Sequence, residues 1–169
     1  GSLLPQEMDT SSVNSPYLSI LFAAQVKNGD RGFLSRDITV STMIQNQGDI
    51  HHIYPRKFLK SQGLSRTKYN QIANYAMTQS EINIAIGAKD PDKYFAEIIK
   101  QIETGKLKYG GIKDETELKK NFEENCISTA VLKTGVMDYK DFLKERRALM
   151  VMKMERYFQS LGEAEMETE

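Results

Sequence analysis

Apolar residues recur at intervals of three and four along most of the chain, which is the spacing of amphipathic helices. The stretches 15–29 and 90–105 each begin with a capping Ser or Asp followed by Pro and stop at Gly, so each predicts a helix. The stretch "DETELKKNFEENCIS" predicts another. The longest predicted helix covers 138–161, where the aromatic, leucine and methionine side chains fall mostly on one stripe.

Between these helices, the stretches that favour extended structure are short. "DIHHIYP" predicts a strand that stops at Pro55, and a further extended segment is expected at 75–77. The pattern of "ITVSTMIQ" leaves strand and helix open. In "TQSEINIAIG", Thr78 and Glu81 stand three residues apart, a capping-box spacing that predicts a helix from Thr78 to near Gly87. The predicted fold class is α+β, mainly helical, with a long C-terminal helix.

A chain of 169 residues with 40% apolar content suits one compact domain, which we assign to residues 13–161. Residues 1–12 are expected to form a flexible N-terminus whose Gly-Ser start is typical of an expression scar, and 162–169 an acidic disordered tail. Cys126 is the only cysteine, so neither an internal disulfide nor a cysteine zinc cage can form. Neither a membrane-length apolar run nor a signal-peptide pattern occurs, which favours a cytoplasmic location.

Basic and acidic residues balance at 23 each, so net charge identifies no partner. Their distribution is more informative, because the segment between Ile50 and Ser80 has basic residues and no acidic one. Such a segment is either an ordinary solvated face or a surface that binds phosphate groups. The candidate nucleic-acid contacts are Arg56, Lys57, Lys60, Arg66 and Lys68.

This basic segment follows the only two histidines, His51 and His52. Hydrolysis of a phosphodiester needs a base that takes a proton from water, a cation that neutralises developing charge, and positive groups that hold the backbone. Neighbouring residues on a regular strand point to opposite faces, so both histidines serve one site only if the strand bends or ends there. Pro55 favours such an ending. Asn83, on the capped helix, offers an amide oxygen suited to a hard divalent ion.

The segments "DIHHIYP", "IAN" and "SEIN" together resemble the ββα-metal nucleases of the HNH superfamily, in its H-N-N version. The resemblance implies a small ββα-metal core surrounded by several helices. It also implies that His51 is a metal ligand and that His52 is the general base. Asn74 then corresponds to the asparagine that braces the loop and orients the base, although Asn70 competes for that position. Asn83 corresponds to the second metal ligand.

The resemblance extends to the C-terminal nuclease region of the GmrSD-type restriction proteins of bacteria, over about residues 13–161. It is carried by "HHIYPRKFL", "IANYAMTQSEINIAIG", "DPDKYF" and "DYKDFLKERRALM". These anti-phage proteins pair an N-terminal nucleotide-hydrolysing domain with an HNH domain. The resemblance therefore implies a metal-dependent endonuclease that cuts foreign or modified DNA, with that nucleotide-hydrolysing domain as its partner. DNA is expected as substrate rather than RNA.

The expected cofactor is one divalent metal ion. Many superfamily members carry aspartate where His51 stands, and an imidazole lowers the charge of the site, so nickel and zinc join magnesium and manganese as candidates. Asp49, two residues away on the same strand face, either supplies the missing carboxylate or caps a turn beside Gly48. The alternative function is a catalytically degenerate HNH-like domain that binds DNA or another protein. A structural zinc site or a buried histidine pair is a third interpretation.

Overall fold

A computed structural model describes residues 3–10, 13–133 and 137–168, which form nine α-helices and one two-stranded sheet. The helices are α1 (Pro16–Asn28), α2 (Val40–Gln45), α3 (Arg56–Ser61), α4 (Arg66–Tyr69), α5 (Ser80–Ile86), α6 (Pro91–Thr104), α7 (Glu115–Glu124), α8 (Ala130–Lys133) and α9 (Tyr139–Thr168). Strands β1 (Asp49–His52) and β2 (Tyr75–Thr78) pair antiparallel. Helices make up 62% of the structure, which confirms the mainly helical α+β class.

Local capping explains the two helices that begin with Pro. The Ser15 hydroxyl accepts a hydrogen bond from the backbone N–H of Tyr17 at the start of α1, and Gly29 ends that helix in the left-handed conformation. The same arrangement recurs in α6, where the Asp90 carboxylate caps the first turn and Gly105 is left-handed. Both helices lie where the sequence predicts them.

The start of α5 differs from its prediction, because no capping box forms at Thr78. Thr78 is the last residue of β2 and pairs with Asp49 of β1, so its backbone belongs to the sheet. Helix α5 begins at Ser80 after an extended Gln79, whose side-chain amide donates to the Glu81 carboxylate over 2.8 Å. The open question at 38–45 resolves as helix α2, capped by the Thr39 hydroxyl.

Both predicted terminal segments contain regular secondary structure. Residues 5–8 form a 3₁₀ turn that buries Met8 completely, and the carbonyl of Thr10 accepts a hydrogen bond from the N–H of Ile72 over 2.8 Å. At the other end, α9 continues through the predicted tail to Thr168. Extending an existing helix needs no new nucleus, and Glu, Ala and Met are strong helix formers. Within these two terminal segments, residues 1, 2, 11, 12 and 169 lie outside the described part of the chain.

Helix α9 packs against several other elements of the fold. It packs against α1 and against two 3₁₀ turns, Pro5–Met8 and Ile72–Asn74, the second of which leads directly into β2. Its buried apolar residues include Phe142, Met150 and Met154. The segment that carries β2 is therefore fixed by the C-terminal helix. Within the described part of the chain, no helix combines the length and apolar character needed to cross a membrane.

Candidate active site

The two histidines occupy the end of β1 and lie on opposite faces of the hairpin. His51 is opposite Ala76 and His52 is opposite Tyr75 in the antiparallel register. Because successive side chains alternate between faces, the two imidazoles diverge. The His51 side chain is buried, with 2% of its surface exposed, whereas His52 is half-buried.

His51 contacts Asn83, the residue with which the resemblance pairs it. Nδ1 of His51 lies 2.6 Å from Oδ1 of Asn83, so the contact joins β1 to α5. The Phe33 ring stacks on the imidazole, with ring centroids 5.9 Å apart and an interplanar angle of 16°. Burial lowers the pKa of His51 to about 4, more than the Asn83 hydrogen bond raises it. The imidazole is therefore neutral at pH 7, the state in which histidine binds metals.

Several candidate metal ligands surround His51. Two ligands with bonds of about 2.1 Å at a right angle would lie roughly 3 Å apart, so Nδ1 and Oδ1, now at the hydrogen-bond distance of 2.6 Å, would have to separate to share an ion. Nε2 of His51 and the Thr78 hydroxyl are buried without a hydrogen-bond partner among the described residues. Asp49 pairs with Thr78 and shares the His51 face of the sheet, because paired and alternate residues point to the same side. Among the described residues, no group of three or more His, Cys, Asp and Glu side chains is placed so that it could hold a metal ion.

His52 is held by a different asparagine from the one that the resemblance implies. Its Nε2 lies 2.8 Å from Oδ1 of Asn70, and its ring meets the Tyr75 ring edge-on at 5.1 Å. Burial lowers the pKa of His52, the Asn70 hydrogen bond raises it, and the nearby positive charge of Arg56 lowers it further. These contacts fix the position of the half-buried imidazole.

Asn74 braces the loop that follows β1. Its fully buried side chain accepts a hydrogen bond from the backbone N–H of Tyr54 over 2.8 Å and donates one to the Tyr54 carbonyl over 3.0 Å. The Asn74 carbonyl also accepts from the N–H of Ile53. Its side-chain hydrogen bonds go to this loop, and the asparagine in contact with His52 is Asn70.

Arg146 supports this loop from α9, a role that sequence reasoning missed. Its fully buried guanidinium donates to the carbonyls of Ala73 over 2.9 Å and Tyr75 over 2.7 Å, on either side of Asn74. The same guanidinium donates to the Asn125 carbonyl after α7. A single side chain thus ties β2 to α7 and α9.

The predicted nucleic-acid contacts form one exposed basic surface. Arg56, Lys57 and Lys60 lie on α3, Arg66 and Lys68 lie on α4, and all five are exposed. Helices α3 and α4 pack against each other, which brings the two groups of charges together. Arg56 is near enough to His52 to affect the pKa of its imidazole. The basic surface therefore adjoins the His52 face.

Comparison with known proteins assigns the chain to no family. No family model matches it. No curated protein matches it. No solved structure matches it.

Proposed function

We propose that the chain is a metal-dependent endonuclease of the HNH type, which hydrolyses phosphodiesters in DNA. The observation that carries the proposal is the 2.6 Å contact between His51 and Asn83. These residues are 32 positions apart, come from a strand and a helix, and are the two ligands that the resemblance implies. The expected setting is restriction of foreign or modified DNA in a bacterial cytoplasm, with a nucleotide-hydrolysing domain as partner.

In this function, the general base and the metal ligands lie on opposite faces of the hairpin. His52 takes a proton from the attacking water, and Arg56 and Lys57 contact the phosphate backbone beside it. His51 and Asn83 would hold the cation. When bound, a divalent ion neutralises charge on the phosphate and on the leaving oxygen. One imidazole nitrogen and one neutral oxygen suit manganese as well as magnesium, with nickel and zinc as further candidates.

A cleavage assay on plain and modified DNA with magnesium, manganese, nickel or zinc tests this proposal. His52→Ala removes the base and should lower the rate by about 10²- to 10⁴-fold, since general-base catalysis contributes that much. His51→Ala and Asn83→Ala should shift the metal dependence to higher ion concentrations. Cleavage by His52→Ala at the wild-type rate would show that this base assignment is wrong.

The basic surface has a matched control elsewhere on the chain. Replacing Arg56 and Lys57 together by Gln should weaken DNA binding and reduce its dependence on salt concentration, because fewer counterions are released. Lys106 and Lys113 are also exposed lysines, and the same double replacement there should leave both quantities unchanged. Equal effects from the two double variants would mean that binding follows overall charge rather than this surface.

A non-catalytic binding module is the second candidate, and the burial of His51 favours it. With 2% of its surface exposed, His51 can simply donate from Nδ1 to Asn83 and fasten α5 to β1. Thermal melting separates the two functions, because an ion that binds only the folded state raises the melting temperature. A manganese-induced shift that is lost in Asn83→Ala supports the nuclease. A shift that Asn83→Ala leaves intact, or the absence of any shift, favours the module.

A further inference from the structure

The contact between His52 and Asn70 determines which imidazole nitrogen carries the proton. Oδ1 of an asparagine side chain only accepts hydrogen bonds, so Nε2 of His52 must donate across the 2.8 Å contact. In the neutral imidazole, Nδ1 then carries the lone pair. Among the described residues, no group bonds Nδ1, and Nδ1 is not one of the buried polar atoms that lack a hydrogen-bond partner. Nδ1 is therefore the nitrogen open to water.

The fold holds Asn70 in place from several directions. Its backbone N–H donates to the Arg66 carbonyl, which makes it the C-cap of α4. The Tyr139 hydroxyl at the start of α9 donates to the carbonyl of Lys68 over 2.9 Å. On the other side of the histidine, the Tyr75 ring meets the imidazole edge-on. Asn70 is thus presented by a short helix that α9 anchors, while Tyr75 restricts rotation of the ring.

We propose that Asn70 is a positioning residue for His52, a role that rests on the nuclease function proposed above. By accepting from Nε2–H, Asn70 orients the imidazole so that Nδ1 faces the attacking water. Proton transfer then runs from water to Nδ1, while Nε2 keeps its proton and its bond to Asn70. The task that the resemblance implies for one asparagine is divided here between Asn74, which braces the loop, and Asn70, which orients the base.

Nitrogen-15 NMR tests the orientation independently of any activity. The chain has only two histidines, so His52→Ala identifies the His52 signals by their loss. In magnesium buffer, neutral His52 of the intact chain should show a protonated Nε2 and a bare Nδ1. In Asn70→Leu, the single ordered state should be lost, while the His51 signals stay in place. A proton on Nδ1 of the intact chain, or an unchanged His52 spectrum in Asn70→Leu, would overturn the proposal.

Steady-state cleavage kinetics test the consequence of that orientation. Asn70→Leu removes the acceptor at similar volume and should lower kcat by about 10- to 100-fold with little change in KM, the usual cost of losing a group that orients a reactive one. Asn70→Asp restores an acceptor oxygen and should recover most of the rate. Asn46, the exposed C-cap of α2, supplies a matched control, and Asn46→Leu should cleave normally.

The two proposals fail in different ways. If the intact chain cleaves no nucleic acid with any of the four ions, the nuclease function falls, and the spectra alone decide whether Asn70 sets the state of His52. If the intact chain cleaves DNA and Asn70→Leu retains full kcat, the positioning role of Asn70 is refuted, whereas the proposed nuclease function is supported. An Asn70→Asp variant as slow as Asn70→Leu would also refute the positioning role, because restoring the acceptor oxygen would then have no effect.

Discussion

Replacing Arg146 by Met should destabilise the protein more than almost any other single change on α9. The Arg146 guanidinium is fully buried, and burial lowers its pKa to about 10, which still leaves it charged at pH 7. The hydrogen-bond partners described for this charge are backbone carbonyls, those of Ile72, Ala73, Tyr75 and Asn125. Removing the guanidinium therefore leaves buried acceptors unsatisfied.

The magnitude follows from the three shorter contacts, with the carbonyls of Ala73, Tyr75 and Asn125. A hydrogen bond to a charged group contributes about 1.5 to 3 kcal/mol, so three contribute roughly 5 to 9 kcal/mol in total. Met removes the cost of burying the charge, which offsets several kcal/mol of that loss. We expect a net decrease of about 3 to 5 kcal/mol in the free energy of unfolding, a large share of the roughly 5 to 15 kcal/mol of a typical domain.

Urea unfolding followed by circular dichroism measures this decrease, and the neighbouring Arg147 supplies the control. Arg147 is partly exposed and bonds the Gln71 side chain over 3.0 Å, with the Asp9 carboxylate at 3.7 Å. Arg147→Met should cost no more than about 1 kcal/mol. A loss below about 1 kcal/mol for Arg146→Met would refute the reasoning, because the carbonyls beside Asn74 would then not depend on the guanidinium.

Two further changes test the backbone around the site. Asn74→Ala removes both side-chain bonds to Tyr54 and should cost about 2 to 4 kcal/mol in the same urea assay, since two buried backbone groups lose their partner. A change near zero in the free energy of unfolding would mean that the loop after β1 keeps its conformation without the two Asn74 hydrogen bonds. Gly110→Ala should destabilise strongly, because the added Cβ would lie 2.3 Å from the Leu34 carbonyl oxygen. Gly63 has a positive φ, as Gly110 does, but a Cβ added at Gly63 would meet open space. A similar loss of stability in Gly63→Ala would therefore show that the positive φ alone causes the effect.

The sequence predicted those features that depend on neighbouring residues. Helices α1 and α6 begin and end where they were expected, because a cap, a proline and a glycine act within a few residues of one another. The capping box at Thr78 failed for the opposite reason. The backbone of Thr78 pairs with Asp49 of β1, which lies 29 positions earlier in the chain. The local spacing of residues around Thr78 contains no information about that distant partner.

Arg146 shows the same limit on a helix. It stands beside Arg147 in "KERRALM", and nothing in that stretch distinguishes the two arginines. Adjacent helical residues point about 100° apart, so α9 directs one arginine into the core and the other to its edge. Only the packing of α9 against the Ile72–Asn74 turn determines which one is buried. The sequence likewise left Asn70 and Asn74 as competing candidates for the asparagine at His52, because the position of α4 depends on its contact with α9.

The divergence of the two histidines constrains how a nuclease can work on this hairpin. His51 is buried, whereas Asn83 is only partly buried, so an ion held by the pair would meet a phosphate oxygen from the Asn83 side. His52 lies on the opposite face, near enough to Arg56 for that charge to lower the pKa of its imidazole. The scissile phosphate would then lie at the end of β1, where the chain turns towards Pro55. The Asn74 side chain braces this turn through its hydrogen bonds to the Tyr54 backbone. Looser packing of this turn should therefore impair catalysis even in variants that keep both histidines.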